Sequence, residues 1–379
     1  MHLSSRQTIL ASSTLTLALV SDAVLYLLLP IYFETFLLTL VWVGILLSAN
    51  RFLRILLNPL VIKVYSVLGV RNSALLAVLF ACVGCTLFLY PVSPWLLLVA
   101  RLLWGFAYAL LRLACLYCAT KEPAHSLKNM GWYAAIQEIG PLLVLLAAPW
   151  INHWYSTGSI IFISLVLCVC AFIPAFLLHK EAEEQVVTKK KWLPQIHYQH
   201  VLTFMFCLLF DAIWVVIIAP LLIRSGMAQE QALFVSALLL VLKRGFNLVL
   251  GLIVVKYHKF QHAQRLLNRS LWLMLVASVL LIQAQQILIL LGSILGILGH
   301  GLFMILMPKV LVDANSDIVE RKSSLNDFTI WRDVAAASGA LLAGFLLQAN
   351  SVNGFILSCT VLMSLVISYV SIQHKGSNR

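Results

Sequence analysis

Long, uninterrupted blocks of apolar residues follow one another through this sequence and restrict it to one class of fold. Each block is rich in Leu, Val, Ile, Ala and Phe, and about 20 such residues are enough for a helix to cross the hydrocarbon core of a bilayer. Of the 379 residues, 62% are hydrophobic and only 11% are charged, so too few polar side chains remain to cover a water-soluble fold. The sequence predicts an all-α integral membrane protein.

Twelve membrane spans can be placed on the apolar blocks, and the loops between them test that number. We predict spans, numbered 1 to 12 below, at 8–33, 38–62, 73–90, 95–118, 129–150, 158–178, 201–223, 231–255, 270–285, 288–308, 324–347 and 354–372.

Basic residues near span ends collect on the cytoplasmic side of a membrane protein. In this sequence Arg224 falls alone on one side, and eighteen basic residues fall on the other: Arg6, Lys63, Arg71, Lys121, Lys128, Lys180, Lys189, Lys190, Lys191, Lys256, Lys259, Arg265, Arg269, Lys309, Arg321, Lys322, Lys375 and Arg379. This alternation predicts that both termini are cytoplasmic.

Several other functions find no support in the residues. The net charge of +12 is explained by membrane orientation, so a nucleic-acid partner is not expected. No convincing signal-peptide cleavage site follows residues 1–7, and we expect the first span to be retained. The eight cysteines lie in apolar segments without companion His or acidic residues, and no HExxH or GxSxG motif occurs. We predict no cofactor, no metal site and no enzymatic activity.

The longest loop divides the chain into two similar halves. It carries the charge run Lys180 to Lys191 and separates a predicted N-terminal bundle (1–178) from a C-terminal bundle (201–379), with 179–200 as a cytoplasmic linker. Spans 1 and 2 match spans 7 and 8 at several positions: Asp22 with Asp211, Pro30 with Pro220, Arg51 with Arg244, and Lys63 with Lys256. The sequence therefore predicts two pseudo-symmetric bundles of six helices.

Charged residues inside the spans have a regular distribution. The basic ones are Arg51, Arg54, Arg101, Arg112, Lys243, Arg244 and Arg332, and the acids that we count with them are Asp22, Glu138, Asp211 and Asp333. A charge at the bilayer centre costs about 3 kcal/mol on insertion scales, so such residues face a protein interior or water. Because spans 3, 6, 9 and 12 carry none of them, we expect these four spans to face lipid and the other eight to surround a polar cavity.

Several motifs resemble those of the major facilitator superfamily over the whole chain. They comprise Gly69 and Arg71 after span 2, Arg101, Gly105 and Ala109 in span 4, Gly131, Gly140 and Pro141 in span 5, and Trp331, Arg332 and Asp333 in span 11. The resemblance implies a twelve-helix secondary transporter that alternates access to a central site, similar to the proton-coupled exporter branch. It also implies a monomer without a cofactor.

The buried cations are the predicted substrate-binding residues, namely Arg51, Arg54, Arg101, Arg112, Lys243, Arg244 and Arg332. Seven cations against four acids leave three without a partner, which favours an anionic substrate. The alternative is that these cations only pair with the acids and hold helices together. Relatives with cationic cavities imply a polycarboxylate metabolite or a carboxylate siderophore, and we favour export.

Asp22, Glu138 and Asp211 are the predicted proton-coupling residues, because a buried carboxylate that breaks and reforms an ion pair can bind and release a proton. For Asp22 a static pair with Arg101 is the alternative. Asp333 directly follows Arg332, so we expect it to point to another face and to be structural. Two other functions stay open: an exporter of amphipathic drugs with structural arginines, and a non-transporting sensor on the same scaffold.

The twelve-span topology predicts which side of the membrane each loop occupies. Single cysteines in place of Gln185 and Asn353, in a variant lacking the eight native cysteines, should react with impermeant thiol reagents from the cytoplasmic and the external side respectively. Labelling of both positions from one side would contradict the topology.

Overall fold

The computed structural model describes residues 3–121, 126–180, 198–256, 263–283, 285–314 and 318–376. Every regular element in these ranges is helical. The first half contains α1 (Leu3–Tyr32), α2 (Leu40–Leu56), α3 (Asn58–Leu89), α4 (Pro94–Thr120), α5 (Ser126–Trp154), α6 (Thr157–Cys170) and α7 (Phe172–Phe176).

The second half begins with a helix of three parts: α8 (Tyr198–Cys207), a π-helical turn (Leu208–Ile213) and α9 (Trp214–Arg224). It continues with α10 (Gln229–Lys256), α11 (Ala263–Leu281), α12 (Gln286–Ala314), α13 (Ile318–Gln348) and α14 (Val352–Gly376). Most of the predicted linker, 181–197, lies outside the described residues.

These helices confirm the predicted all-α membrane fold. Nine helical segments of the described ranges are long and apolar enough to cross a bilayer, and the other predicted spans coincide with α2, α11 and α14. An even number of spans puts both ends of the chain on one face of the membrane, which we call the terminal side; the opposite face is the distal side.

Proline divides two of the predicted spans. Span 2 breaks at Leu57, between α2 and α3, where Pro59 cannot donate a backbone hydrogen bond to the preceding turn. Span 6 breaks at Ala171, between α6 and α7, and Pro174 has the same effect there. The apolar pattern of the sequence does not predict such breaks, because the residues on both sides of each break are apolar.

The predicted loop between spans 2 and 3 is reduced to a turn at Gly69. Helix α3 continues span 2, turns at this residue, and continues as span 3. Gly69 has φ 71° and ψ 178°, a combination available to glycine because it has no Cβ. The connection is therefore much shorter than the 63–72 segment predicted from the sequence.

Spans 1 and 7 are the most enclosed helices. In their most apolar stretches 83% and 78% of the residues are buried, compared with 33–50% in the other seven segments that can cross a bilayer. The two helices carry the matching residues Asp22 and Asp211 of the predicted repeat. Their central placement explains why few of their residues can contact lipid.

Spans 3, 6, 9 and 12 present apolar side chains outward, as predicted. The exposed residues recur at helical spacing on each span: Leu79 and Val83; Phe162, Val166 and Val169; Trp272, Val276 and Val279; and Leu357, Val361 and Leu365. Apolar side chains at three- and four-residue intervals form one face of a helix. That face suits contact with lipid tails.

The two halves meet where span 2 packs against span 11 and span 5 packs against span 8. Spans 2 and 11 cross at Gly44 and Gly344, where a Cβ added at Gly44 would lie 2.9 Å from the Cα of Gly344 and 2.7 Å from the carbonyl oxygen of Leu341. Small residues allow such close contact between membrane helices. The crossing lies toward the distal side.

Further contacts join the halves on the distal side. Gln229 Nε2 donates to the carbonyl of Ile31 at 3.3 Å, and His153 Nδ1 lies 3.4 Å from Glu230 Oε2. The rings of Trp150 and Phe234 meet edge to face nearby. Spans 1, 5 and 8 are thus connected across the two halves at this end of the molecule.

Replacement of Gly44 by alanine should destabilise the contact between the halves. The added methyl group would meet backbone atoms at less than 3 Å, and overpacking of this kind costs about 1–3 kcal/mol. We expect a lower unfolding temperature in detergent. Gly354→Ala is the matched control, because a Cβ at Gly354 meets nothing within 4 Å; equal stability of the two variants would contradict the tight crossing.

Candidate functional site

The predicted site residues lie within their spans and separate into three close ion pairs and one cluster. Apart from Arg101, the paired side chains and those of Arg112, Arg332 and Asp333 are 12–29% exposed. Partial exposure of charged groups at this depth indicates solvent-accessible space between the halves.

The first close pair joins Asp22 of span 1 to Arg101 of span 4. Arg101 Nη1 lies 2.6 Å from Asp22 Oδ1, and Arg101 Nε donates to the carbonyl of Leu46 on span 2 at 2.9 Å. Gly105, one turn further along span 4, permits this approach, since a Cβ there would lie 2.9 Å from the Cα of Asn50. Arg101 therefore connects three helices of the first half.

Burial makes this first pair costly to break. The Arg101 side chain is only 1% exposed, and removal of one partner from a buried pair typically costs about 3–5 kcal/mol. The static pairing considered for Asp22 in the sequence is thus present in the structure.

The second close pair joins Asp211 of span 7 to Lys243 of span 8, at 2.9 Å between Oδ1 and Nζ. Asp211 lies within the π-helical turn, and Lys243 Nζ also donates to the carbonyl of Phe210 at 3.0 Å. A π-helical turn displaces backbone carbonyls from the regular pattern, and such turns often occur at functional sites.

The third close pair crosses from one half to the other. Arg244 Nη1 of span 8 lies 2.7 Å from Glu138 Oε2 of span 5. Both side chains are partly exposed, at 28% and 19%, so water can reach this pair more readily than it reaches Arg101. The pair is one of the polar contacts that join the two halves at mid-membrane.

The sequence repeat does not extend to ion-pair partners. Asp22 pairs with span 4, whereas its equivalent Asp211 pairs with span 8. Arg244 pairs with Glu138, whereas its equivalent Arg51 makes no ion pair with any carboxylate of the described residues. Equivalent positions in the two halves therefore have different chemistry.

The remaining charges form what we call the arginine cluster: Arg51 and Arg54 of span 2, Arg112 of span 4, and Arg332 with Asp333 of span 11. Arg112 Nη1 lies 3.8 Å from Asp333 Oδ2, and Arg332 Nη2 lies 3.3 Å from Asp333 Oδ1. The charges of Arg51 and Arg54 also lie within electrostatic range of Asp333.

Helix geometry explains why spans 2 and 11 bring these residues to one depth. Arg54 lies ten residues after Gly44, and Asp333 lies eleven residues before Gly344. At 1.5 Å per residue both are about 15 Å from the helix crossing, on its terminal side. The glycine contact therefore sets the depth at which the arginine cluster forms.

Two tyrosines hold arginines of the cluster in place. The guanidinium carbon of Arg54 lies 4.6 Å from the ring centre of Tyr108, and that of Arg51 lies 5.5 Å from the ring centre of Tyr26. Arg101 faces the same Tyr26 ring. Sequence analysis did not select Tyr26, although it lies four residues after Asp22 and so shares a helical face with it.

Two donors in this cluster lack hydrogen-bond partners within the described residues. They are Arg51 Nη1 and Arg54 Nε, both buried. A buried unsatisfied donor typically costs about 1–3 kcal/mol, and more when it is charged. Both atoms belong to guanidinium groups, which donate hydrogen bonds and accept none, so an anion that reached them could satisfy them.

Asp333 was expected to face away from Arg332, but Arg332 Nη2 lies 3.3 Å from Asp333 Oδ1; the expectation that Asp333 is structural stays a prediction. Successive residues point about 100° apart on a helix, but the long Arg332 side chain bends back to Asp333. Asp333 also contacts Arg112, which belongs to the other half. Sequence spacing gives the direction of Cα–Cβ bonds and not the reach of a flexible side chain.

Two further buried groups were not assigned to the site from the sequence. Asp327, also in α13, is buried and was not counted among the acids within spans. His300 of span 10 is buried and lies within electrostatic range of Asp211 and Lys243. In the described ranges no three His, Cys, Asp or Glu side chains are grouped so that they could hold a metal ion.

The fold is similar to that of several solved transporters of low sequence identity. The nucleoside transporter NupG is 12% identical, with a TM-score of 0.73 over 97% of this chain and 98% of that chain. The human organic anion transporter MFSD10 is 14% identical, with a TM-score of 0.67 over 97% and 99%. A D-xylose–proton symporter is 13% identical, with a TM-score of 0.69 over 96% of each chain.

Sequence comparison with curated proteins gives no match. The sequence profile of the Major Facilitator Superfamily, however, matches residues 11–314, most of the chain. Together with the twelve-span fold, this match confirms the resemblance noted in the sequence. The chain belongs to the Major Facilitator Superfamily, and it is a membrane transporter and not an enzyme.

Proposed function

We propose that this transporter carries a small organic anion by alternating access and couples its movement to protons. The supporting observation is the charge balance of the arginine cluster, where Arg112 and Arg332 contact the carboxylate of Asp333 and Arg51 and Arg54 lie within electrostatic range of it. The other three cations are each matched by one acid at 2.6–2.9 Å. The surplus of three positive charges is therefore concentrated in one place between the halves.

The arginine cluster is suited to carboxylate or phosphate groups. A planar guanidinium can donate two parallel hydrogen bonds to such a group, and an ammonium cannot. Several arginines at one depth favour an anion with more than one charged group, such as a polycarboxylate metabolite or a carboxylate siderophore. The named substrates of similar structures include nucleosides, organic anions and xylose, so fold similarity alone does not select among them.

The rest of the proposal follows from topology and from the sequence. We place the protein as a monomer in a bacterial inner membrane with both termini in the cytoplasm, and we favour export in exchange for protons. The halves 1–178 and 201–379 are the two moving units, joined by the 179–200 linker. The anion contacts Arg51, Arg54, Arg112 and Arg332. The other three cations, Arg101, Lys243 and Arg244, take part in the site by pairing with the proposed proton-coupling acids.

The proposed proton-coupling residues are Asp22, Glu138 and Asp211, and we favour Asp211 for this role. Its side chain is 29% exposed, compared with 15% for Asp22 and 19% for Glu138. It also lies in the π-helical turn, next to Lys243 and buried His300. Protonation of Asp211 would release Lys243, and deprotonation would restore the pair.

Two alternatives make different predictions for transport. An exporter of amphipathic drugs would use the exposed apolar surface of its cavity and would be insensitive to the arginine cluster. A sensor on a transporter scaffold would bind an anion but would give no flux in proteoliposomes. Flux of an anion, abolished by changes in the arginine cluster, distinguishes the proposal from both.

Replacement of Arg51 or Arg54 by lysine should weaken anion binding, although it preserves the charge. Loss of a charged hydrogen bond typically costs about 1.5–3 kcal/mol, which corresponds to roughly ten- to a hundredfold in affinity. Calorimetric titration of purified protein with citrate, succinate and inorganic phosphate measures the effect.

Arg224→Lys is the matched control for this measurement. Arg224 lies at the distal end of span 7 and donates to the carbonyl of Leu347, away from the arginine cluster, so its replacement should leave affinity unchanged. Unchanged affinity in correctly folded Arg51→Lys and Arg54→Lys variants would contradict the proposed anion contacts.

Replacement of Asp211 by asparagine should separate transport from the proton gradient. The amide keeps the volume of the side chain but cannot titrate. In proteoliposomes we expect loss of anion accumulation driven by a pH gradient, with exchange of labelled for unlabelled anion retained. Gradient-driven accumulation at the wild-type level would transfer the coupling role to Glu138 or Asp22.

A further inference from the structure

Asp333 differs from the other acids of the site in the length of its ion pairs. Asp22, Asp211 and Glu138 each lie 2.6–2.9 Å from one cation. Asp333 instead lies 3.3 Å from Arg332 and 3.8 Å from Arg112. It is shared between two arginines, with one long hydrogen bond to Arg332 and an ion pair to Arg112 that is too long for a hydrogen bond.

The position of Asp333 is also unusual, because its partners come from different halves. Arg112 belongs to span 4 and Arg332 to span 11. Arg54 and Arg51 of span 2 are within electrostatic range as well. A carboxylate at this point occupies the place where a carboxylate of the substrate would contact the arginines of both halves.

We propose that Asp333 is an internal counter-ion that the anionic substrate displaces. In the empty carrier Asp333 connects Arg332 to Arg112 across the halves. In the loaded carrier an anionic group of the substrate contacts Arg332 and Arg112 in place of Asp333. A free ligand can approach both arginines more closely than Asp333 does, so short ion pairs replace the two long ones. This inference rests on the anion transport proposed above and assigns a specific role to one residue.

Displacement has two consequences for transport. Asp333 competes with the substrate for Arg112 and Arg332, so its charge weakens binding. Asp333 also keeps the halves connected at mid-membrane when no substrate is bound, so the empty carrier can change conformation with Arg112 and Arg332 still paired to a carboxylate. The same carboxylate therefore lowers affinity and supports the return of the empty carrier.

The other acids are unsuited to this role. Asp22 is held by Arg101, whose side chain is almost completely buried, and Asp211 is held by Lys243, which also contacts the Phe210 carbonyl. Glu138 connects the halves, but its partner is Arg244, outside the arginine cluster. Among the described acids, Asp333 combines loose pairing with contacts to both halves.

Asp333→Asn tests the competition directly. We expect citrate, succinate or inorganic phosphate to bind roughly tenfold more tightly than to the wild type, or about 1.4 kcal/mol, in calorimetric titration of purified protein. Asp333→Glu keeps the charge and should retain weak binding. Asp333→Ser is measured in parallel, so that poor folding of one variant leaves the comparison intact.

Glu34→Gln is the matched control, because it removes one carboxylate at an exposed position between spans 1 and 2. Its affinity should equal that of the wild type. An equal gain in Glu34→Gln and Asp333→Asn would show a general effect of net charge and would overturn the assignment to Asp333.

Transport assays in proteoliposomes test the second consequence. Asp333→Asn should retain exchange of labelled for unlabelled anion, which needs only the loaded carrier, and should lose at least tenfold in net flux, which needs the empty carrier to return. Wild-type net flux in this variant would overturn the bridging role.

The outcomes separate this inference from the proposed function. If the wild type binds an anion and folded Asp333→Asn and Asp333→Ser bind it no more tightly, displacement of Asp333 is wrong and anion transport stands. If neither the wild type nor any variant binds one of these anions, both proposals fail. Tighter binding in Asp333→Asn together with retained exchange supports both.

Discussion

The cost of a charge inside a bilayer governs the organisation of this transporter. Each buried cation must meet an acid, a polar backbone group, an aromatic ring or water. Arg101 contacts Asp22 and the Leu46 carbonyl, with its Nη2 left unpartnered among the described residues, and Lys243 contacts Asp211 and the Phe210 carbonyl. These contacts connect helices that have no hydrophobic reason to associate within lipid, so the charged residues also determine which helices surround the interior.

Positions that match in the two halves of the sequence make different ion pairs. The seven cations exceed the four acids counted with them whichever partners they take, so the pairing decides only where the surplus lies. Arg244 contacts Glu138 in the other half, whereas its counterpart Arg51 faces Tyr26 with one buried donor unpaired. The unmatched positive charge is thus confined to spans 2, 4 and 11, which meet between the halves.

Close helix packing and the arginine cluster depend on one another. Gly44 and Gly344 bring spans 2 and 11 into backbone contact, and the arginines and Asp333 lie at one depth on the terminal side of this crossing. A larger residue at the crossing would separate the helices and increase distances that are already long for ion pairs. This arrangement relates a packing feature on the distal side to the geometry of the site at mid-membrane.

The sequence by itself determined the membrane class, the helical fold, the family and most of the buried charges, because long apolar runs form helices in lipid and a charge within them is conspicuous, although Asp327 was missed. It did not determine the partners. Whether Arg101 meets Asp22, whether Arg332 bends back to Asp333, and whether Tyr26 faces an arginine depend on helix contacts and side-chain reach. Those are set by residues far apart in the chain. The breaks at Leu57 and Ala171 and the π-helical turn at Asp211 likewise arise in the packed structure, where prolines and tertiary contacts outweigh the uniform apolar pattern.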